Sequence, residues 1–557
     1  MRSNSVWLRG WHPFALLVAL CLVLYLPGIA SIPPLDRDEA RFAQATRQML
    51  QTGDFLRIRF QEEARNKKPA GIYWLQAAVV AALSAPESTA IWPYRLPSMA
   101  GALIAVLLTF AIGGALFARD DEISPRAIAF VAAILLGSAL GVVAEAHIAK
   151  TDAALLAAIV AGQGALGLAY VRRRSGRPAI PAIAAMFWIA ETGAILLKGP
   201  VGPGLAMLTM LTLSLADRDW RWLRGLYPLA GIIFMALAIV PWVIAIERAT
   251  TGTFLADSLG RDFWAKLIGA QESHGAPPLT YLFLAIATFW PGSLLLVPAL
   301  ARGWCNRVRP AERFLLAWVM PAWVVLELVP TKLPHYALPL YPAMALLAGA
   351  ALIEGARAAA PRWPRYADIG VKALWGLVTI ALAAALLALP LRFADRFSVM
   401  GVLGAAVLLG LATILLARWS RPPVVTAAIV GLSAAFIVPA ASVVLPGLDH
   451  LWLSRSAAAL VAERRSPIHP AVIAVGYSEP SLVFLLGGNL RVAQSTDAAD
   501  FLAAGGAALV SDRDDALFHQ SLSAHGLAAQ AAGNVDGFDY SNGRHLVLTL
   551  YDVGRAE

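Results

Sequence analysis

Acidic and basic residues crowd the segment that directly follows the first apolar stretch of the chain. In PPLDRDEARFAQATRQML, six consecutive residues include Asp36, Arg37, Asp38, Glu39 and Arg41. A carboxylate at such a place can accept or orient a proton, and a guanidinium can hold a phosphate. Arg41 lies three residues after Asp38 on the same helical face, so both can serve one site. Because N-capping of an interfacial helix would explain only one of the acids, the segment predicts chemistry at a membrane surface.

Further ionisable residues stand at the ends of later apolar runs. They are Lys67, Lys68, Glu145, His147, Lys150, Asp152, Lys198, Lys332, His335 and Tyr336. Taken singly, each is explained as well by helix capping or by anchoring at the lipid headgroups. Ionisable residues at membrane depth are nevertheless functional candidates, because an unpaired charge there is costly. Taken together, they predict a site for an anionic lipid headgroup with a proton acceptor beside it.

A loop rich in glycine and proline, GAQESHGAPP, contains Glu272 and His274. Their spacing matches no strong metal-ligand pattern, so the loop does not indicate a metal site. A flexible segment beside a charged cluster is more typical of a loop that covers a substrate. We therefore predict that Glu272 and His274 belong to a substrate loop.

The composition is that of an integral membrane protein. The chain has 557 residues, of which 59% are hydrophobic and 15% charged. Apolar runs long enough to cross a hydrocarbon core of about 30 Å recur along most of it, and strand-like alternation is absent there, which favours a helical bundle. The net charge of +9 comes from short basic clusters between these runs, so it indicates topology rather than nucleic-acid binding. Two cysteines in unlike surroundings predict no disulfide framework.

Thirteen apolar runs predict membrane-spanning helices. They are 13–33, 95–117, 127–146, 153–171, 179–197, 200–216, 225–246, 279–301, 313–330, 336–354, 371–391, 398–417 and 424–445. The first is predicted to be a retained helix rather than a signal peptide. A further apolar segment, 69–85, is predicted to lie at the interface, because its crossing would break the positive-inside pattern. Six arginine-bearing loops then face the cytoplasm, and the charged segments described above all face outside.

The sequence changes character after the last apolar run. Residues 1–446 are predicted to form the membrane domain, with an interfacial excursion over 34–94. Residues 447–557 contain strand-like AVIAVG and HLVLTLYDV and helix-like PSLVFLL and DALFHQSLSAHG. This part predicts a small α/β domain on the outer side of the membrane. It has neither a phosphate loop nor a glycine-rich dinucleotide motif, so nucleotide binding is not expected.

Several of these segments together resemble one known family. DRDEARFAQATRQMLQTGDF, NKKPAGIYWLQA, RLPSMAGAL, AKTDAALL, LLKGP and KLPHYALPLYP are similar, in this order, to the lipid A 4-amino-4-deoxy-L-arabinose transferases. These have the GT-C fold and are related to the protein O-mannosyltransferases, and the resemblance covers about residues 10–350. It implies a polytopic all-α bundle that transfers a sugar, with inversion, from polyprenyl (undecaprenyl) phosphate to an acceptor such as lipid A or lipopolysaccharide. The location implied is the periplasmic face of the bacterial inner membrane.

The resemblance also implies roles for individual residues. Asp38 corresponds to the essential carboxylate and Asp152 to the second catalytic acid. The donor phosphate would be bound by Arg41, Lys68, Lys332 and Tyr336. The family commonly reads Glu-Lys-Pro where this chain has Lys67, Lys68 and Pro69. That difference leaves the identity of the sugar open.

Other functions compete with this one. A protein O-glycosyltransferase of the mannosyltransferase type would use a protein side chain as acceptor. A lipid-linked sugar transporter would need charges along a path at mid-membrane depth, where Glu191 and Glu327 are the chief candidates. A non-catalytic scaffold would give the charged loops no purpose.

Sugar transfer needs no cofactor, since a lipid phosphate is already a good leaving group; a divalent ion bridging acids and phosphate would be compatible but is not indicated. The expected partners are the lipid-linked donor, a lipid or glycan acceptor and the membrane, without nucleic acid.

Overall fold

The chain forms a bundle of apolar helices followed by a small α/β unit. The computed structural model describes residue 8 and residues 10–118, 125–265, 275–354, 363–417, 421–464, 471–487 and 490–554. The bundle helices are α1 (His12–Tyr25), α2 (Asp38–Thr52), α3 (Gly71–Leu83), α4 (Trp92–Leu116), α5 (Pro125–Gly137), α6 (Leu140–Ala146), α7 (Asp152–Arg174), α8 (Pro181–Lys198), α9 (Val201–Asp217), α10 (Pro228–Ala249), α11 (Thr280–Thr288), α12 (Leu296–Cys305), α13 (Pro310–Leu328), α14 (Tyr341–Glu354), α15 (Trp363–Phe393), α16 (Val399–Ala417) and α17 (Pro422–Pro439). Short 3-10 or π turns occupy Arg221–Leu226, Ala256–Trp264, Gly292–Leu295, Pro334–Leu340 and Ala440–Val444.

The predicted helical membrane bundle is confirmed, whereas its span count of thirteen stays a prediction. Among the described residues, 8 helices are long and apolar enough to cross a membrane, and up to 10 if each bent pair is one span. The three predicted spans that fall outside this set are α1, α9 and α13. α1 has 14 residues and α9 has 17. α13 carries Glu312, Arg313 and Glu327.

Two predicted spans are bent rather than straight. α5 and α6 meet at 61°, and α11 meets the Gly292–Cys305 segment at 120°. The first break is satisfied by tertiary hydrogen bonds, since the Leu140 amide donates to the Trp290 carbonyl (2.9 Å) and the Ser433 hydroxyl to the Ser138 carbonyl (3.1 Å). Such partners let a helix break inside a bundle without leaving backbone groups unpaired.

Two glycines bring the charged segments of distant helices together. A Cβ on Gly101 of α4 would lie 2.6 Å from Cα of Ala154, in the first turn of α7. A Cβ on Gly71 of α3 would lie 2.6 Å from the carbonyl oxygen of Leu196, near the end of α8. Since these contacts admit no side chain, α4 packs against the start of α7, and α3 against the end of α8.

The excursion between α1 and α4 lies over one end of the bundle. It consists of α2, a two-stranded hairpin of β1 (Arg59–Phe60) and β2 (Glu63–Ala64), and α3. The predicted helix after Asp38 is confirmed by α2, which buries Phe42, Ala45 and Met49. α3 has 13 residues, a rise of about 20 Å, which is short for a hydrocarbon core of about 30 Å. This length agrees with its predicted place at the interface.

The C-terminal part folds as a small α/β unit, as predicted. Its elements are α18 (Leu453–Arg464), β3 (Val472–Val475), α19 (Pro480–Leu486), β4 (Leu490–Ala493), α20 (Ser495–Ala503), β5 (Ala507–Ser511), α21 (Asp515–Ala524), β6 (Ala528–Asp539) and β7 (Arg544–Gly554). The sheet order is β4-β3-β5-β7-β6, parallel across β4, β3 and β5 and antiparallel beyond. Apolar residues are buried on both faces of the sheet. The boundary at residue 447 remains a prediction.

Candidate active site

A buried ion pair holds the segments of the candidate site in place. The Arg95 guanidinium donates to both carboxylate oxygens of Glu39 at 2.8 Å, and both side chains are fully buried. The Glu39 carboxylate also accepts hydrogen bonds from the backbone N–H groups of Leu35 and Ala149, each at 2.8 Å. Arg95 further donates to the carbonyl oxygens of Ile29, Ile32 and Pro33. The pair therefore joins four parts of the chain: the end of the first membrane segment, α2, α4 and the segment at Ala149 that leads into α7.

Asp152 lies at the centre of a second, mixed cluster. Its carboxylate forms an ion pair with Lys198. The Lys150 ammonium lies 3.7 Å from Asp152 and 2.9 Å from Glu145, and His335 Nε2 lies 3.9 Å from Asp152. Burial alone would lower the pKa of Lys150, but the carboxylates of Asp152 and Glu145 outweigh it and raise that pKa. Lys150 is therefore a cation at neutral pH.

Five of the predicted site residues meet in one polar cavity. Asp38, Arg41, Lys68, Asp152 and Tyr336 all line a cavity of about 650 Å³. They come from α2, the basic strip of residues 65–69 before α3, the start of α7 and the turn before α14. The sequence interpretation, which assigned these distant charges to one face of the membrane, thus agrees with their positions. Their chemical roles stay predictions.

A second, apolar cavity opens beside the polar one. It has a volume of about 190 Å³ and is lined by Leu155, Val201, Leu259, Val325, Leu326 and Leu338. Lys68, Asp152 and Tyr336 line both cavities. The Lys198 ammonium at this boundary lies 5.4 Å from the centre of the Tyr336 ring, within range of a cation–π contact. The polar end of an amphiphile could therefore bind at this boundary while its tail extends along the apolar cavity.

Asp38 reaches into the polar cavity from the first turn of α2. Its side chain is 63% exposed, and its ion-pair partner is Arg65, at 3.9 Å. Arg65 in turn stacks over the Phe42 ring, 5.0 Å from its centre, and donates to the Tyr73 hydroxyl. The sequence interpretation missed Arg65, although it belongs to the same basic strip as Lys68. An accessible carboxylate beside a fixed cation can receive a substrate hydroxyl.

The basic strip before α3 is held from the opposite side. The buried Asn66 amide donates to the Thr253 hydroxyl (3.3 Å) and to the Asp257 carboxylate (3.2 Å). Asp257 lies in the π-helical turn Ala256–Trp264. Because Asn66 directly precedes Lys67 and Lys68, these contacts limit the freedom of both lysines at the cavity wall.

Two other predicted candidates, Lys332 and His147, line neither cavity. The Lys332 ammonium donates to the carbonyl oxygens of Leu326, Glu327 and Val329, at 3.4, 2.9 and 2.6 Å. It thus satisfies the C-terminal end of α13, where a cation is favourable. Both ring nitrogens of His147 lie 2.8 Å from backbone carbonyl oxygens, those of Val143 and Pro27. Glu272 and His274 lie outside the described residues.

The C-terminal unit completes the wall of the polar cavity. Glu479 and Asn542 are among its lining residues. The unit is attached through the Asp36 backbone N–H, which donates to the Tyr540 hydroxyl at 2.7 Å, and through Arg37, which donates to the Ser541 carbonyl at 2.6 Å. The sequence offered no signal for this contact, because no motif marks Glu479.

Glu479 should titrate near neutral pH. Burial, reinforced by the nearby carboxylates of Asp36 and Asp539, raises its pKa from 4.5 to about 7. The folded protein then binds more protons than the unfolded chain between these values, so stability falls as pH rises through them. We expect Glu479→Gln to flatten the dependence of the melting temperature on pH between about pH 5 and about pH 7. Glu463→Gln, an exposed control on α18, should leave that dependence unchanged. A slope in Glu479→Gln identical to that of the wild type would contradict the raised pKa of Glu479.

The described residues contain no group of three or more His, Cys, Asp and Glu side chains that could hold a metal ion. Several cations lie in the wall of the polar cavity. Arg41, Lys68, Lys150 and Lys198 all line the polar cavity, and among the described residues Arg41 forms no ion pair. Such a wall can bind an anionic group by charge-assisted hydrogen bonds.

No protein-family model matches the chain. It is 28% identical over 349 residues to the undecaprenyl phosphate-alpha-4-amino-4-deoxy-L-arabinose arabinosyl transferase of Pseudomonas paraeruginosa, covering 61% of this chain and 60% of that protein. It is 25% identical over 366 residues to the Edwardsiella ictaluri protein of the same name, covering 61% and 59%. The chain therefore aligns with about three fifths of the length of these relatives.

The fold is shared over nearly the whole chain. The crystal structure of ArnT from Cupriavidus metallidurans bound to undecaprenyl phosphate matches with a TM-score of 0.74 and 19% identity, covering 97% of this chain and 98% of that one. The apo structure of the same protein matches with a TM-score of 0.70 and 20% identity, covering 96% and 97%. The predicted resemblance is confirmed by these relatives. With the apolar helices, they indicate a multi-pass protein of the bacterial inner membrane.

Proposed function

We propose that this chain, a relative of the undecaprenyl-phosphate aminoarabinose transferases in sequence and fold, is an inverting glycosyltransferase. It moves a sugar from a polyprenyl phosphate to a cell-envelope acceptor such as lipid A or lipopolysaccharide. The observation that supports this is the meeting of a polar and an apolar cavity at Lys68, Asp152 and Tyr336. A polyprenyl-phosphate sugar has an apolar tail, a phosphodiester and a polar sugar in that order. The two cavities and their charged boundary offer matching surfaces in the same order.

The phosphate of the donor would lie at the boundary between the cavities. Lys68 and Arg41 would neutralise the negative charge that grows on the phosphate as its bond to the anomeric carbon breaks. Lys198 and Lys150 add positive charge there, and their ion pairs with Asp152 hold both ammonium groups in place. We therefore assign Asp152 a positioning role: it orients the lysines that face the phosphate.

Asp38 would act on the opposite side of the sugar. Its accessible carboxylate can take or orient the proton of the acceptor hydroxyl, whose oxygen then attacks the anomeric carbon. The C–O bond to the phosphate breaks on the far face of the sugar, so the configuration inverts, and the phosphate leaves with the electron pair. The acceptor would enter beneath the C-terminal unit, beside Glu479 and Asn542. The active site would face the periplasm, since the arginine-rich loops lie at the other end of the bundle.

The direct test is reconstitution of the full-length protein in vesicles with a polyprenyl-phosphate sugar and lipid A. We expect a new glycosidic product, detected by mass spectrometry. Translocation of the donor without formation of a glycosidic bond would overturn the proposal in favour of transport. Transfer to a protein side chain, with lipid A and lipopolysaccharide left unmodified, would instead identify the O-glycosyltransferase alternative.

Lys68→Ala should weaken use of the donor. Removing one cation from the phosphate is expected to lower kcat/KM for the donor by about ten- to a hundredfold, because charge-assisted hydrogen bonds to phosphate are strong. Lys372→Ala, which removes a half-buried lysine paired with Asp368 in α15 and outside both cavities, is the control. Unchanged donor kinetics in Lys68→Ala would remove Lys68 from the phosphate site.

A further inference from the structure

A separate cleft lined by arginines lies at the other end of the bundle. Its volume is about 380 Å³, and Arg172, Arg173, Arg177, Arg221 and Arg224 line it. It lies between the end of α7, the start of α8 and the 3-10 turn Arg221–Leu226. α7 begins at the candidate active site and ends here, and its 23 residues span about 35 Å. The arginine cleft is therefore distinct from the site described above.

Among the described residues, no acidic residue in the lining of the cleft balances its positive charge. Of the nearby acids, Asp217 already forms ion pairs with Arg174 and Arg313 and accepts a hydrogen bond from Tyr170, and Asp219 accepts the backbone N–H of Arg221 at 2.8 Å. Within the described part of the chain, Arg173, Arg177, Arg221 and Arg224 form no ion pair. The positive-inside rule explains why arginines lie at this end of the bundle, but it does not explain why five line one cavity.

Hydrogen bonds hold both sides of the cleft in place. The Arg172 guanidinium donates twice to the Pro178 carbonyl oxygen, at 3.1 and 3.0 Å, which fixes the loop between α7 and α8. Trp222 of the 3-10 turn is buried and donates to the Ser214 hydroxyl at 3.0 Å. Trp188 of α8 donates to the Leu226 carbonyl at 2.7 Å. Both sides of the cleft are therefore fixed to the bundle, so that little ordering is required on binding.

Apolar side chains adjoin the arginines. Ile180, Ile183 and Tyr227 line the same cleft. Ile180 and Tyr227 are exposed, as is Leu229 in the first turn of α10. Arginines above an exposed apolar surface, at the end of membrane helices, match a ligand that has an anionic headgroup and acyl chains.

We propose that the arginine cleft binds an anionic phospholipid of the leaflet opposite the candidate active site. The phosphodiester would be held by Arg173, Arg177, Arg221 and Arg224, and the acyl chains would lie over Ile180 and Tyr227. This inference stands apart from the proposed sugar transfer, because it uses none of the residues of that site. The charge and the apolar rim favour a lipid over a soluble anion.

Lipid binding by the full-length protein tests the proposal. Native mass spectrometry during titration with phosphatidylglycerol, with phosphatidylcholine as the neutral lipid, should show preferential binding of phosphatidylglycerol. We expect the double variant Arg221→Gln/Arg224→Gln to weaken that binding by about tenfold or more. Arg307→Gln/Arg365→Gln, which removes the same amount of charge outside the cleft, should bind phosphatidylglycerol like the wild type.

Three outcomes would overturn the assignment. The first is unchanged phosphatidylglycerol binding in Arg221→Gln/Arg224→Gln and in a second variant, Arg173→Gln/Arg177→Gln. The second is an equal loss of binding in the control variant, which would show that only overall charge matters. The third is displacement of phosphatidylglycerol by inorganic phosphate at equal concentration, which would indicate a soluble-anion site. Sugar-transfer activity enters none of these readouts, so failure here leaves the proposed function untouched.

Discussion

Asp38→Asn is expected to lower sugar transfer by at least about a hundredfold and to leave the stability of the protein near that of the wild type. The carboxylate projects into the polar cavity with 63% of its side chain exposed. An amide of the same size can neither accept a proton nor carry the negative charge that activates the acceptor hydroxyl. Since Asp38 is exposed and its Arg65 contact is long, at 3.9 Å, the substitution should cost little folding free energy.

The measurement is initial-rate transfer by the purified protein, with its melting temperature recorded in parallel. Asp54→Asn is the matched control, because Asp54 lies just beyond the same helix and pairs with Arg57 outside both cavities. Wild-type turnover in Asp38→Asn would remove this carboxylate from the chemistry. A loss of activity that is accompanied by a large fall in melting temperature would instead indicate a structural role.

Loss of the Glu39–Arg95 ion pair should have the largest effect on stability. Arg95→Met leaves the Glu39 carboxylate buried without its cation, and Glu39→Leu leaves the guanidinium buried without its anion. Each single variant is expected to lower the free energy of unfolding by about 3 to 5 kcal/mol. Activity should fall as well, because Glu39 also binds the Ala149 amide, two residues before Thr151 and the Asp152 cluster.

The double variant Glu39→Leu/Arg95→Met provides the control. It removes both buried charges at once, so its loss of stability should be smaller than the sum of the two single losses. Thermal or denaturant unfolding in detergent or bilayer measures all three variants. Single variants that each lose less than about 1 kcal/mol, the range of an exposed pair, would show that this ion pair is not the anchor of the site.

Much of the bundle could be predicted from the sequence because apolar runs and basic loops are local signals. The helical segments and the gathering of Asp38, Lys68 and Asp152 at one cavity followed from hydropathy and charge, whereas the interfacial place of 69–85 stays a prediction. The bend within 127–146 did not follow from these signals, because it depends on hydrogen bonds between distant helices.

The structural details of the site depended on contacts that no local pattern encodes. Asp38 and Glu39 are neighbours in sequence, yet Glu39 is buried in its ion pair with Arg95 whereas Asp38 faces the cavity. Lys332 was predicted to bind phosphate from its place in KLPHY, whereas its ammonium caps α13. Helical position alone does not set the direction of a long, flexible side chain. The contribution of Glu479 required the docking of a domain whose sequence carries no motif for it.

The central claim is that the boundary between the two cavities binds the donor phosphate. A structure of the full-length protein with undecaprenyl phosphate tests it most directly. We expect the phosphate within hydrogen-bond distance of Lys68 and Tyr336 and the polyprenyl chain along Leu155, Val201 and Leu338. A phosphate bound away from Lys68 and Arg41, or a chain that leaves the apolar cavity empty, would contradict it.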